Sequence, residues 1–424
     1  MIEIIKIISI FPIFFLFLIF PVNTFDKNDI ILNYDLYSLN LIINLNIFLI
    51  FSLLPLAIEN YQNIFLITYL VLFIYKIYNK SFKNIFYNKP AFYIFLLLFI
   101  IISLSVASRL ELGWDAKYFY YIKTLFFYEG LNIAEIKNFK DYSWHPHLGS
   151  YIWAFFWKLP FIDHEYFGRL FYVFIFCFSI VGVIFKDKNK FYLKTIFILS
   201  ILLLVYNYER FSGLQEVLIF SLLIISSRFL YDLQKNKKIN NIVALLLISN
   251  LLIWIKSEGL VFSLILLIIL LVSHKTNLKN KIIVLTTGIL IFSFKKIIYI
   301  YLQFDTVAQP YYNLPFLLSL DVLEVLNRIG HTFFYLSYYG LTNILFFTGI
   351  IILLFINLKK TKELDTTIFN YYFLFNISFI FAAYIFREME IVYSLRTTLE
   401  RIVFISSGFY LYLIFMFLDK RVKF

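Results

Sequence analysis

The amino-acid sequence predicts an all-α protein that crosses a membrane many times, and three observations predict it. Of 424 residues, 62% are hydrophobic and only 15% charged, with a mean hydropathy of +0.83, a balance that excludes a water-soluble globule. The apolar stretches are continuous Ile, Leu and Phe runs without the period-two alternation of barrel strands. Backbone crossing lipid must then satisfy its own hydrogen bonds as helix. The third observation is where the charges lie. Loops 76–89, 186–194, 228–238, 274–281, 359–365 and 419–423 together carry 21 Lys/Arg against 5 Asp/Glu. They recur at every second turn, so the formal charge of +12 follows the positive-inside rule rather than marking a nucleic-acid patch.

Apolar runs of roughly spanning length occupy 4–20, 41–58, 64–78, 91–107, 166–185, 192–206, 214–230, 241–256, 259–273, 282–302, 331–357, 370–386 and 397–418, which makes about thirteen spans. Residues 1–90 are expected to form N-terminal spans whose topology stays open. Met1–Phe20 is expected to be an uncleaved span, because Lys6 is its only basic residue and no small-residue cleavage site follows. Residues 91–424 form the expected core, including an outer loop at 108–165. The single cysteine, Cys177, sits in an apolar run, so neither a disulfide nor a thiolate metal site is expected.

The longest polar interruption runs from Gly113 to Pro160 and sets Asp115, Lys117, Lys123, Asp141, His145 and His147 among aromatic residues. After Asp115, the residues Tyr118, Phe119, Ile122 and Phe126 recur at helical spacing, which predicts a helix lying along the membrane surface. A second such helix is expected from Pro146, running through Trp153 and Trp157 to Lys158. The loop is thus expected to be a pair of interfacial helices on the outer face.

Elsewhere the ionisable residues collect at the outer ends of spans: Glu209, Arg210 and Glu216; Lys256 and Glu258; Asp305 to Arg328; Arg387 to Arg401. Charge at the bilayer centre is costly, so this distribution favours chemistry on one outer face. A transporter would instead place such residues near the midplane of repeated halves.

The GWDA segment after a span, the Tyr-rich helix behind it and the YSWHPHLGSY stretch at 142–151 together resemble the first outer loop of GT-C glycosyltransferases. WIKSEG at 254–259 and SLRTTLERIV at 394–403 resemble that superfamily's short Lys/Glu turn and its late Arg-bearing turn. The likeness extends to protein mannosyltransferase and aminoarabinose transferase-like enzymes. It implies transfer of a sugar from a polyprenyl-phosphate donor to a glycan, lipid or protein acceptor at the periplasmic face of a bacterial inner membrane. Extra spans within residues 1–90 depart from the family pattern.

On this resemblance Asp115 would be the general base that takes the acceptor hydroxyl proton; the competing role is a helix cap. Arg396 and Arg401 would bind the donor phosphate, against snorkelling or pairing with Glu400. Lys256 could also bind phosphate and Glu258 the acceptor, against a local Lys256–Glu258 pair. His145, His147 and Tyr118 could contact a sugar, although the histidines could also bind a metal. Asp141 fits a solvated loop acid, and Trp144, Trp153 and Trp157 a membrane-interface belt. No metal is required; Mg or Mn held by Asp115 with Glu216 or Glu258 is conceivable. Two rival functions stand beside this reading, a lipid-linked polysaccharide polymerase or ligase and a lipid or sugar flippase.

Overall fold

The computed structural model describes residues 2–21, 34–78, 89–136, 145–160, 162, 164–184, 191–236, 239–273, 276–304, 316, 319–359 and 364–422. Their regular structure is helical, and no strand occurs among them. The elements are α1 (Ile2–Ile19), α2 (Tyr34–Leu53), α3 (Ile58–Tyr78), α4 (Lys89–Arg109), a π turn (Ala116–Tyr120), α5 (Tyr121–Tyr128), α6 (Ile133–Ile136), α7 (Leu148–Trp157), α8 (Tyr166–Ile184) and α9 (Phe191–Val205). A 3-10 turn (Tyr208–Phe211) follows, then α10 (Glu216–Asn236), α11 (Ile239–Ile255), α12 (Ser257–Val272), α13 (Leu278–Tyr301), α14 (Val322–Thr342), α15 (Ile344–Lys359), α16 (Thr367–Ile385) and α17 (Ile391–Val422).

Among the described residues, six helices are long and apolar enough to cross a membrane: α2, α4, α8, α13, α16 and α17, or seven if α14 and α15 count as one. The expected thirteen spans are matched to that extent among the described residues. The apolar runs are helical where predicted to within a few residues, but α9, α11 and α12 offer only short apolar helices. The run expected at 331–357 is broken, with α14 and α15 meeting at 99°. Asn343 causes the break: its backbone is extended at φ −87°, ψ 98°, and its side chain accepts from Phe346 N at 3.0 Å to cap α15.

The chain forms two compact units, one of Met1–Ser221 with Asn250–Ser257, the other of Leu222–Ser249 with Glu258–Phe424. In the first unit, α1 packs on α2 and α4, α4 on α8, and α7 against α2, α3, α5 and α8. Phe14, Phe17, Phe48, Phe65, Phe155, Phe156 and Phe171 interlock at its centre, with Phe156 stacked on Phe171 at 4.3 Å. The carbonyls that α1 leaves unpaired at its end are met by α2. Asn40 Nδ2 donates to Leu18 O (2.7 Å) and Ile19 O (3.0 Å); Asn44 Nδ2, one turn on, donates to Phe17 O (2.9 Å) and Phe20 O (2.8 Å). Asn44 Oδ1 also accepts from Tyr69 OH on α3, so one side chain joins three helices. Asn44→Leu strands buried carbonyls and is expected to cost about 2–4 kcal/mol. The check is the unfolding midpoint of the purified variant in detergent, which would not move if those carbonyls found other partners.

The Gly113–Pro160 loop departs from a pair of surface helices. The first helix forms where expected, from Trp114 through the π turn into α5. Its half-buried face carries Phe119, Ile122 and Phe126, while Ala116, Tyr120, Lys123, Thr124 and Phe127 are buried. The second helix, α7, is no surface element, since Leu148 through Phe156 are all buried. Its aromatic residues supply core volume to the first unit rather than an interfacial belt.

In the second unit, α17 packs on α14, α15 and α16. Tyr372 stacks on Phe409 at 3.8 Å, and Gly349 gives Tyr410 room that a Cβ would take, 2.5 Å away. Arg328, on α14, reaches Tyr384 O (3.4 Å), Arg387 O (2.9 Å) and Met389 O (3.3 Å), and so holds the turn that leads into α17.

Candidate functional site

Asp115 stands where two backbone segments of the first unit meet. Gly113 N donates to Ser212 O at 2.9 Å, and Gly213, at φ +90°, lies so close to Ala116 and the Trp153 ring that an added Cβ would sit 2.9 and 2.7 Å from them. Only glycine suits that backbone and that space. Arg169 braces the same region. It is fully buried, pairs with Glu165 at 2.7 Å, and donates to Glu111 O (3.4 Å) and Phe211 O (3.2 Å), tying together the segments that lead to Asp115 and to Glu216. Burial raises the Glu165 carboxyl, against the opposing pull of Arg169.

Asp115 itself is already helical, at φ −60° and ψ −36°, and its side chain makes no capping hydrogen bond. The half-buried carboxylate is therefore not spent on starting the helix. The widened turn after it closes with Tyr121 N donating to Ala116 O, and Tyr120 O accepts from Ser150 Oγ at 2.9 Å. Bulges of this kind recur at functional sites.

A buried polar cluster belongs to the same unit. Lys256 Nζ donates to Glu216 Oε1 at 2.6 Å, with both side chains almost wholly buried. Each sits at the helix end that suits its charge: Glu216 opens α10, and Lys256 follows the last residue of α11. This long-range pair is one that the sequence reading, which weighed a local Lys256–Glu258 pair, did not foresee. Gln215 lies beside it and, oriented to satisfy both amide atoms, donates to Ile255 O and accepts from Ser150 N at 3.3 Å. His147 is buried, with its ring 2.9 Å from Ser52 Oγ and 5.4 Å from the Trp254 ring. There it joins α2 to the start of α7.

Lys123 is the residue the sequence hid. Its side chain is 1% exposed and donates to His145 O; among the described residues no carboxylate pairs with it. Burial pushes its pKa down to about 7, and the His145 ring is pushed down to about 3 by burial and then by the Lys123 and Lys256 charges. A Lys shift from 10.5 to about 7 corresponds to about 5 kcal/mol. The sign is destabilising: the cost is full below pH 7 and fades as pH rises from 7 to 10.5. Lys123→Met is therefore expected to raise Tm most below pH 7, with the gap to wild type closing towards pH 10. A lower Tm for the variant at pH 7 would show that the ammonium is held by more than its single carbonyl.

The other expected residues divide between the two units. Tyr118 is exposed on the outer side of the π turn, its ring 5.0 Å from that of Trp114. Glu258, Arg396 and Arg401 belong to the second unit. Glu258 is half-buried in the first turn of α12. Arg396 is exposed and donates to Tyr335 OH at 2.8 Å, and Arg401 Nη2 donates to Thr397 O at 3.1 Å. Asp141, Trp144 and Asp305 lie outside the described residues.

Among the described residues, no three His, Cys, Asp or Glu side chains come together to hold a metal ion. Glu216, the partner expected for Asp115 at such a site, is taken by Lys256, so no step below runs through a metal. Compared with protein-family models, with curated proteins and with solved structures, the chain matches none.

Proposed function

We propose that the chain is an integral membrane glycosyltransferase of the GT-C type, moving a sugar from a polyprenyl-phosphate donor to an acceptor hydroxyl, with Asp115 as general base. The observation that carries the reading is Asp115: a half-buried carboxylate on a braced helical turn, with no capping duty, beside exposed aromatic rings. A base must be rigidly placed, and the braced turn that carries Asp115 supports that. The acceptor oxygen forms a bond to the anomeric carbon as the bond from that carbon to the phosphate oxygen breaks. The hydroxyl proton passes to Asp115, and the bonding pair leaves with the polyprenyl phosphate.

Arg396 and Arg401, which belong to the second unit, carry permanent positive charge of the kind that pairs with a lipid phosphate. Lys256 reaches a phosphate only if its bond to Glu216 opens, so its first role in this scheme is to hold Glu216 and the end of α11 in place. The Lys/Arg asymmetry of the loops supports an outer-face position for the Asp115 side of the chain, which in the GT-C reading is the periplasmic face of a bacterial inner membrane.

The test is incubation of the purified protein in nanodiscs with a panel of radiolabelled polyprenyl-phosphate sugars and with glycan, lipid and peptide acceptors. Labelled acceptor appearing in step with free polyprenyl phosphate supports the reading. Intact donors throughout the panel would refute it.

A further inference from the structure

We propose that the exposed rings of Trp114 and Tyr118 form a docking platform for a pyranose ring, so that the acceptor brought to Asp115 is a carbohydrate. The inference rests on the reading of Asp115 as the base, and it names the class of acceptor. Trp114 is 67% exposed and Tyr118 43%, whereas Trp153 and Trp254 are fully buried. The two rings stand 5.0 Å apart, Trp114 is 5.6 Å from Phe119, and Phe119 is 4.4 Å from the His145 ring, which makes one aromatic wall beside the base. The wall is rigid at its root, because Gly113 N is bonded to Ser212 O and Lys117 N to Gly113 O at 2.8 Å.

An indole and a phenol left open on a fixed turn expose apolar area that a ligand can cover. A pyranose has the matching chemistry. The weakly positive C–H bonds of one ring face lie against the negative face of an aromatic ring. The hydroxyls at its rim can then donate to the Asp115 carboxylate and accept from the Lys117 ammonium, which lies 5.6 Å over the Tyr118 ring. A serine or threonine acceptor on a peptide would bring the hydroxyl but no face to stack. The other occupant for such rings is the lipid headgroup layer. Against it stands the sequence position of Trp114, between Glu111 on one side and Asp115 and Lys117 on the other, where sinking the ring into acyl chains would drag charge with it.

The test is saturation-transfer NMR on the full chain in nanodiscs with methyl glucopyranoside, methyl mannopyranoside and methyl galactopyranoside, comparing wild type, Trp114→Ala and Trp114→Phe. At least one glycoside should bind wild type saturably, weaken at least about tenfold with Trp114→Ala, and largely recover with Trp114→Phe. Equal binding by Trp114→Ala would overturn the platform. So would no glycoside binding by wild type; transfer to a peptide in the separate donor assay would then leave the Asp115 reading standing, and absence of all transfer would remove both. Quenching of the fluorescence lost in Trp114→Phe by lipids brominated on their acyl chains would also overturn the proposal, by placing the ring in the membrane.

Discussion

Asp115→Asn is expected to lower the rate of sugar transfer by about 10²–10⁴-fold, the range by which a positioned general base accelerates a proton transfer. The substitution keeps the side chain's size, and no capping hydrogen bond depends on the carboxylate, so the helical turn should form as before. Gly113, Gly213 and Arg169 hold that turn through backbone atoms, which the variant leaves in place. Because the base acts on the acceptor proton in the transition state, the loss should fall on kcat rather than on donor binding. Single-turnover transfer with saturating donor reads this directly. A variant with full activity would reduce Asp115 to a structural residue and pass the proton to another group.

The second large effect concerns stability. Breaking the buried Glu216–Lys256 pair from one side, by Lys256→Met or by Glu216→Gln, is expected to cost about 3–5 kcal/mol, because an uncompensated group is left in a buried setting. Replacing both together should recover most of that loss. The Coulomb attraction of a buried pair is largely offset by the cost of taking both charges out of water, so the pair as a whole contributes little. Unfolding midpoints of the two single variants and the double variant in detergent would decide it. Additive losses would contradict a paired arrangement and favour independent roles for the two residues.

The helices were legible because their signal is local. Continuous apolar runs admit no other regular structure in lipid, and α4, α8, α13 and α16 lie where the runs predict. The break at Asn343 was less visible, since one Asn in a long apolar run is tolerated unless its side chain turns back to cap the next helix. The aromatic density of α7 misled for a chemical reason. Trp, Tyr and Phe suit both a headgroup belt and a packed core, and the sequence does not say which neighbours will cover them.

At the candidate site, Asp115 and Tyr118 stand out in the sequence by their place after a span. Glu216 was visible as an ionisable residue, but not as the partner of Lys256, because the two lie 40 positions apart and only folding joins them. Lys123 was the hardest to see. A lysine in a polar loop is ordinarily solvated, and what buries it is the packing of α5 on α7. Arg169 was hidden for the same reason: an arginine inside an apolar run shows its purpose only when the carbonyls of Glu111 and Phe211 arrive beside it.

The most direct measurement of the central claim is made in sealed proteoliposomes loaded with a radiolabelled polyprenyl-phosphate sugar, following in one sample the label transferred to acceptor and the labelled donor moved between leaflets. The account predicts label on the acceptor, free polyprenyl phosphate in equal amount, and loss of both with Asp115→Asn. Donor that crosses the bilayer with its sugar bond intact, equally well in wild type and variant, would contradict it and make the chain a lipid transporter.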